Sequence, residues 1–167
     1  GFIGLGNVGA KLAGSLLRNG FDLTVRDVDQ NLTDQFKSSG AKVANSGKEL
    51  AEQVDLIITS LPSLKISSEV MEAEDGVLQG LSENKIWLEM STTDEAEVKR
   101  IGEKVIVKSA IPLDGPVSGG CHRAATGNIA LFVGGERKAF EKILPVLTVM
   151  GRKVLHTGEL GTASTLK

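Results

Sequence analysis

The sequence predicts an α/β fold, in which a doubly wound and mainly parallel sheet carries helices on both faces. Short apolar runs alternate with amphipathic stretches along almost the whole chain, which indicates repeated strand–helix–strand units. Residues 55–60 are dense in Leu and Ile, as expected for a strand that is buried on both faces. The 167 residues are enough for one domain with a sizeable core.

Several segments have the apolar or alternating pattern of strands. In chain order these predicted strands are residues 1–5, 21–27, 42–44, 55–60, 85–89, 111–117, 129–133 and 153–157. Helical spacing of apolar residues predicts helices over 7–19, 31–39, 47–53, 67–73, 77–81, 94–108 and 136–150, and a further helix that starts near residue 162. Gly20 follows the first helix as a C-terminal cap, and Ser46 with Glu49 has the spacing of a capping box at the third.

The composition argues against several functional classes. The formal net charge is −2 and no run of Lys and Arg forms a basic stripe, so a nucleic-acid partner has no electrostatic support. The longest apolar runs are far shorter than a membrane span, and no charged leader suggests a secretory signal. The single cysteine, Cys121, excludes an internal disulfide, and no Cys and His spacing suggests a metal site. These features predict a cytoplasmic protein without a membrane partner.

A glycine-rich turn follows the first predicted strand and opens the first helix. It contains the residues Gly4-Leu5-Gly6-Asn7-Val8-Gly9, with Gly-x-Gly-x-x-Gly spacing. In this spacing the first glycine permits a tight turn, the second lets backbone amides approach a pyrophosphate, and the third lets helix and strand pack closely. The helix N-terminus adds a partial positive charge. The loop therefore predicts a dinucleotide site, with a mere tight turn as the alternative.

Asp27 and Arg26 stand at the end of the second predicted strand, where the cofactor ribose is expected. A carboxylate there accepts a hydrogen bond from the adenosine ribose 2′-hydroxyl and would repel a 2′-phosphate, so Asp27 favours NAD. Arg26 leaves NADP open. Neighbouring side chains of a strand point to opposite faces, so only one of the two residues should meet the ribose directly.

Four further clusters stand where predicted strands end, which is where doubly wound sheets bind ligands. They are Ser60-Leu61-Pro62-Ser63, Glu89-Met90-Ser91-Thr92-Thr93, Asp114-Gly115-Pro116-Val117-Ser118-Gly119-Gly120, and Gly158-Glu159-Leu160-Gly161 followed by Lys167. Together with the glycine loop, this set resembles the β-hydroxyacid dehydrogenase family, and in particular the N-terminal NAD(P)-binding domain of its 3-hydroxyisobutyrate dehydrogenase-like members. The resemblance implies a Rossmann-like fold and an oxidoreductase.

The resemblance also implies how the remaining cofactor contacts are made. Leu61 and Pro62 would border the cofactor beside the glycine loop. Ser91 and Thr92 would contact its nicotinamide half. The residues alone leave an alternative open, in which Ser91 and Thr92 are no more than caps of the helix predicted at 94–108. The two roles are compatible, because both use the same helix N-terminus.

The substrate and the catalytic residue are implied in the same way. Ser118 and the amides of Gly119 and Gly120 would bind a substrate carboxylate, and Lys167 would be the catalytic lysine. A lysine can take the hydroxyl proton while hydride leaves for the nicotinamide, or return it in the reverse direction. The implied substrate is a small carboxylate-bearing hydroxy acid or semialdehyde. Its identity stays open because His122 departs from the small residue more common in relatives.

The chain starts within a predicted strand without an initiator Met and ends within a predicted helix. It is therefore expected to be one part of a longer protein. Residues 1–161 would form the dinucleotide-binding domain, and residues 162–167 would start a long helix. That helix would lead to an all-α C-terminal domain absent from this chain, which in relatives closes the cleft and builds a homodimer or homotetramer. The chain alone is therefore expected to be inactive.

The sequence is compatible with three functions. The first is hydride transfer between NAD and a small 3-hydroxy acid. The second is an NADPH-dependent reductase of glyoxylate, succinic semialdehyde or tartronate semialdehyde, for which Arg26 is the supporting feature. The third is a non-catalytic cofactor-binding module, against which the presence of Lys167 argues.

Overall fold

The computed structural model describes residues 1–118, 126 and 128–166. Within these residues, nine strands form a single sheet. They are Phe2–Ile3 (β1), Thr24–Arg26 (β2), Lys42–Val43 (β3), Leu56–Thr59 (β4), Ile86–Glu89 (β5), Ile111–Asp114 (β6), Val117–Ser118 (β7), Ile129–Gly135 (β8) and Gly151–Gly158 (β9). The helices are Asn7–Arg18 (α1), Gln30–Ser38 (α2), Gly47–Gln53 (α3), Leu64–Glu72 (α4), Val77–Gly80 (α5), Glu95–Val107 (α6), Arg137–Lys142 (α7), Leu144–Met150 (α8) and Thr162–Leu166 (α9).

The sheet has the order β3-β2-β1-β4-β5-β6-β8-β7, and β9 also pairs with β8. The pairs from β3 through β6 are parallel, as is the β8–β9 pair. Only the pairings of β8 with β6 and β7 are antiparallel among the described strands. Because the chain winds outward in both directions from β1 and β4, a crevice is expected at the carboxyl ends of these strands. The predicted doubly wound fold is confirmed.

Two hydrophobic clusters cover the two faces of the sheet. Phe2 and Leu88 belong to one cluster, which includes side chains of α1 and α8. Their strand neighbours Ile3 and Trp87 belong to the other, which includes side chains of α3 and α6. Adjacent residues of a strand point to opposite faces, so this division shows that helices cover the sheet on both sides.

Capping residues set several helix boundaries. The predicted capping box at α3 is confirmed, because the Glu49 amide donates to Ser46 Oγ at 3.0 Å. The helix predicted at 67–73 begins at Leu64 instead, since Ser63 Oγ accepts from the Ile66 amide at 3.2 Å. As an alternative to cofactor contacts, Ser91 and Thr92 were candidate caps of the next helix, and this alternative is wrong. Asp94 caps α6 and accepts from the Glu97 amide at 2.8 Å.

The strand predicted at 111–117 is divided in the structure. β6 ends at Asp114, and β7 starts at Val117 and pairs antiparallel with β8. The Gly115 amide still donates to the carbonyl of Glu89, the last residue of β5, at 2.8 Å. Pro116 has no amide hydrogen with which to continue the ladder, so the chain leaves the parallel sheet here.

The helix predicted at 136–150 is also divided, with a break at Ile143 between α7 and α8. Pro145 has no amide hydrogen and cannot continue a helix from the preceding turn, but it is accommodated in the first turn of a new helix. Across the described part of the chain, every helix is too short or too polar to cross a membrane.

Candidate functional site

A cleft of about 730 Å³ opens at the carboxyl ends of β1, β2 and β4. It lies where the winding of the sheet reverses, which is the position expected of a ligand site in this fold. The predicted cofactor residues that line it are Gly4, Gly6, Asn7, Val8, Gly9, Arg26, Asp27, Leu61 and Pro62. The fold thus brings together three segments that are far apart in the sequence.

The three glycines of the loop differ in their geometric surroundings. Gly4 has a φ of +102°, and a Cβ there would lie 2.0 Å from the Ser60 carbonyl oxygen. A Cβ on Gly9 would lie 2.0 Å from the Gly4 carbonyl oxygen, so this glycine lets α1 approach β1. A Cβ on Gly6 would meet no atom of the described residues within 4 Å. Gly6 therefore leaves open space for a ligand.

The N-terminus of α1 fits a phosphate group. Gly6 is the N-cap of this helix and has no side chain with which to cap the first turn. The first amides of a helix have no intrahelical partner, and together with the helix dipole they favour an anion. This uncapped N-terminus lines the cleft through Asn7 and Val8. The residues present therefore fit the pyrophosphate of a dinucleotide.

Asp27 holds the glycine loop in place as well as bordering the cleft. Its Oδ2 accepts a hydrogen bond from the Leu5 amide at 2.7 Å, and its Oδ1 accepts one from the Asp29 amide at 2.8 Å. An ionised carboxylate has about four acceptor positions, so capacity remains for ribose hydroxyls. The contact with Leu5 spans 22 residues and was not foreseen, because no local pattern relates the two positions.

Arg26 borders the same cleft as Asp27. β2 ends at Arg26, so Asp27 already lies beyond the regular strand, and the alternation expected of strand neighbours does not separate the two residues. The guanidinium Nη1 of Arg26 donates to the Asp27 carbonyl oxygen at 3.4 Å. Both residues therefore line this end of the cleft.

Ser91 lies below the rim of the cleft and supports it. The side chain is buried, and its Oγ accepts hydrogen bonds from the Leu61 amide at 2.7 Å and from Ser67 Oγ at 3.2 Å. Ser91 therefore fixes the backbone that leads into Pro62. Thr92, by contrast, is exposed. Both hydroxyls were expected at the cofactor, but Ser91 instead supports the backbone at Leu61.

Glu89 is a buried carboxyl group under this rim. Its Oε1 accepts from Thr59 Oγ1 at 3.0 Å and from the Ser91 amide at 2.9 Å. Burial raises the pKa of Glu89, while the hydrogen bonds from Ser91, Ser67 and Thr59 act in the opposite direction. Glu89 was part of a cluster singled out in the sequence, but no role was assigned to it there.

The predicted substrate segment begins at a second buried carboxylate, Asp114. Its Oδ1 accepts from the Gly161 amide at 2.8 Å, and its Oδ2 accepts from the Ser164 amide and Oγ, each at 2.8 Å. The backbone of Ser118 belongs to β7. Gly119, Gly120, His122 and Lys167 lie outside the described residues. Among residues 1–118, 126 and 128–166, no group of three or more His, Cys, Asp and Glu side chains is placed to hold a metal ion.

Comparisons with known proteins agree with this geometry. The family model described as the NAD binding domain of 6-phosphogluconate dehydrogenase matches residues 1–158. Mitochondrial 3-hydroxyisobutyrate dehydrogenase of Mus musculus is 36% identical over 167 residues, which cover 100% of this chain and 50% of that protein. NAD-dependent L-serine dehydrogenase of Pseudomonas aeruginosa is 34% identical over 166 residues, covering 99% of this chain and 56% of that protein.

A solved structure shows the same architecture. Mycobacterium tuberculosis 3-hydroxyisobutyrate dehydrogenase with L-serine aligns with a TM-score of 0.92 at 27% identity, over 99% of this chain and 56% of that one. This chain thus spans about half the length of the curated relatives it matches. The resemblance to the β-hydroxyacid dehydrogenases and the expected cofactor class are confirmed. The chain belongs to the NAD-binding domain family of 6-phosphogluconate dehydrogenase.

Proposed function

We propose that the complete protein transfers a hydride between NAD and a small 3-hydroxy acid, interconverting the acid and its semialdehyde. The observation that carries this proposal is the cleft, where an uncapped helix N-terminus, an open Gly6 and Asp27 converge. The names of two relatives support the substrate class, because 3-hydroxyisobutyrate and L-serine both carry a hydroxyl group two carbons from a carboxylate.

The cofactor is held by residues of this chain in distinct roles. When bound, NAD supplies the nicotinamide ring that takes up the hydride. The first amides of α1 bind the pyrophosphate, and the Asp27 carboxylate binds the adenosine ribose hydroxyls. Leu61 and Pro62 border the cofactor, and Ser91 fixes the Leu61 amide from below. The rim is therefore set before a ligand arrives.

The residues that bind the substrate and transfer its proton lie in the second half of the chain. The neutral amine of Lys167 takes the hydroxyl proton as the carbon–hydrogen bond breaks, and the ammonium form returns it to the carbonyl oxygen in the reverse direction. Ser118 and the amides of Gly119 and Gly120 bind the carboxylate of the substrate. These roles come from the family resemblance and the matching spacing in this sequence.

A second candidate function follows from Arg26. Because Arg26 borders the same cleft as Asp27, its guanidinium would be close to a 2′-phosphate bound there. This favours an NADPH-dependent reductase of glyoxylate, succinic semialdehyde or tartronate semialdehyde. Asp27 argues for NAD, since its carboxylate would face the same phosphate.

The organisation of the complete protein is part of the proposal. Residues 1–161 form the dinucleotide-binding domain, and residues 162–167 start a helix that leads to a second, all-α domain. The length of the relatives, about twice that of this chain, supports this division. We also propose a homodimer or homotetramer. A cytoplasmic location stays a prediction, because several relatives are named as mitochondrial.

Replacing Lys167 tests the function most directly. In the complete protein, Lys167→Ala is expected to lower kcat by roughly 100- to 10,000-fold, the usual contribution of a general acid or base. The Kd for NAD should stay within about twofold, because Lys167 acts on the substrate. Turnover is measured with a panel of 3-hydroxy acids and semialdehydes, and with both NAD and NADP.

The control is Lys142→Ala, which removes an exposed lysine on α7 and should leave kcat unchanged. An unchanged kcat for Lys167→Ala would refute the assignment of this lysine. Tighter binding of NADPH than of NADH would favour the reductase. Cofactor binding without turnover of any substrate would indicate the non-catalytic module.

A further inference from the structure

Asp114 is fully buried at the end of β6, although it carries a carboxylate. The hydrogen bonds that this carboxylate accepts within the described residues come from one short segment, at Gly161 and Ser164. These partners are 47 and 50 residues away in the sequence. A buried carboxylate that accepts hydrogen bonds from one distant segment fixes that segment to its own strand, here β6.

The segment that Asp114 holds is the start of α9. Gly161 precedes this helix and has no side chain, so it cannot supply the cap that helices usually obtain from the preceding residue. Asp114 supplies that cap from another strand, because it accepts both the Gly161 amide and the amide of the third helical residue, Ser164. These are the two amides that a capping box satisfies.

Close packing around the turn before α9 supports this arrangement. A Cβ on Gly134 would lie 2.6 Å from Asp114 Oδ1, 2.7 Å from the Glu159 carbonyl oxygen and 2.8 Å from Thr162 Oγ1. Gly134 thus allows the turn to lie directly on β8. A second carboxylate, Glu95, accepts from Thr165 Oγ1 at 2.7 Å, but this contact is on the exposed surface.

We propose that Asp114 is a positioning residue that sets the location of Lys167 relative to the substrate-binding segment. This inference rests on the proposed function. Asp114 precedes Ser118 by four residues in the sequence, and Ser164 precedes Lys167 by three. Fixing the start of α9 at Ser164 therefore fixes the point from which the chain continues to Lys167. One carboxylate therefore joins the residues that bind the substrate to the residue that moves its proton.

The test uses Asp114→Asn in the complete protein. The amide group keeps one acceptor oxygen but cannot satisfy both Gly161 and Ser164. We expect kcat to fall by roughly 10- to 100-fold, because a small displacement of a catalytic group has effects of this size, while the KM for NAD stays unchanged. Hydrogen–deuterium exchange should show faster exchange in a peptide spanning residues 159–166, a readout that does not depend on activity.

Two further variants separate positioning from general destabilisation. Ser164→Ala removes only the hydroxyl bond and should lower kcat about fivefold, the effect of one hydrogen bond of about 1 kcal/mol. Glu95→Gln weakens the exposed contact with Thr165 and should leave kcat within about twofold.

The outcomes distinguish this inference from the proposed function. An unchanged kcat in Asp114→Asn overturns the positioning role, as does an unchanged kcat in Ser164→Ala if Asp114→Asn does not fold. A raised KM for NAD equal in size to the loss of kcat would also overturn it. The proposed function fails separately, if Lys167→Ala retains full activity. If the proposed function failed in this way, a loss of kcat in Asp114→Asn would need another explanation.

Discussion

The carboxyl edge of the sheet has a cofactor half, at the ends of β1, β2 and β4, and a second half at the end of β6. In both halves a carboxylate accepts hydrogen bonds from distant backbone amides, but the result differs. In the cofactor half, the half-buried Asp27 accepts the Leu5 amide and still borders an open cleft. In the other half, the fully buried Asp114 accepts the amides at the start of α9. A carboxylate at a strand end thus fixes a distant backbone in both places. Its burial decides whether the result is a binding surface or an internal support.

Glu89 stands between these halves and belongs to the buried type. It lies at the end of β5, next to β4 on one side and β6 on the other. Through Ser91 it supports Leu61 in the cofactor half. We therefore expect the largest losses of stability from substitutions that alter backbone geometry. Substitutions that change the charge of a buried carboxyl group should have smaller effects on stability, and substitutions in exposed ion pairs the smallest.

The largest effect is expected from the glycines of the cofactor half. Gly9→Ala would place a Cβ 2.0 Å from the Gly4 carbonyl oxygen, so backbone must move, at a cost of about 2–3 kcal/mol. Both the melting temperature and NAD affinity should fall. Gly6→Ala meets no described atom within 4 Å and should leave the melting temperature within about 2 °C.

The same Gly6→Ala variant should weaken NAD binding by at least about tenfold, because its methyl group occupies the approach of the pyrophosphate. Thermal unfolding and NAD titration of the complete protein measure the two effects. If both variants changed stability and affinity in the same proportion, the loop would act only as a tight turn. The separation of a structural glycine from a ligand-facing one would then be wrong.

The two halves also differ in how much of each could be predicted from the sequence. The Gly4-to-Gly9 spacing and the capping box at Ser46 are local patterns, so they predicted both the loop and the start of α3. The contacts of Asp27 with Leu5 and of Asp114 with Ser164 join residues 22 and 50 positions apart. Such contacts depend on where packing brings two segments together.

The end of β6 and the cap of α6 were also predicted less well, because each depends on a neighbouring segment. Residues 111–117 begin and end with apolar side chains, so the pattern indicated one strand. The division at Gly115 and Pro116 depends on where the neighbouring strand β5 ends. Hydroxyls before a helix indicated caps at Ser91 and Thr92, but the burial of Ser91 beside Leu61 gives its hydroxyl a different partner.

A smaller effect, and one that depends on pH, is expected at Glu89. Burial raises its pKa above the ordinary value of 4.5, so the folded protein holds this proton more tightly than the unfolded chain does. The contribution of Glu89 to the free energy of unfolding is therefore highest below pH 4.5 and falls as pH rises through its folded pKa. Glu89→Gln should remove this fall, because its amide oxygen can still accept from Thr59 and Ser91.

The matched control is Glu89→Ala, which leaves those donors without a carboxyl partner and should cost about 1–3 kcal/mol at every pH. Melting temperatures of the three proteins are compared between pH 5 and 8. NAD affinity should stay within about threefold in Glu89→Gln, since Ser91 still supports Leu61. A wild-type stability that rose with pH relative to Glu89→Gln would show that Glu89 is stabilised as a carboxylate.

The smallest effect is expected from the exposed ion pairs that connect α4 and α6 across the two halves. Glu72 accepts from Arg100 Nη2 at 2.6 Å and also contacts Lys104, and these hydrogen bonds lower the pKa of Glu72 to about 2. Its stabilising contribution is therefore present above the ordinary value of 4.5 and lost as pH falls toward 2. The Arg100 side chain is 43% exposed, so water and salt screen the pair.

Glu72→Gln should accordingly cost under about 1 kcal/mol at neutral pH, and less in high salt. The control is Glu141→Gln, which breaks a pair with Arg137 within α7 and does not connect the halves. Thermal unfolding in low and high salt should give similar small losses for both variants. A loss for Glu72→Gln as large as that for Gly9→Ala would show that surface charges couple the halves. Buried carboxylates and close backbone contacts would then not be the main link between the two halves, because an exposed ion pair would contribute as much to stability as they do.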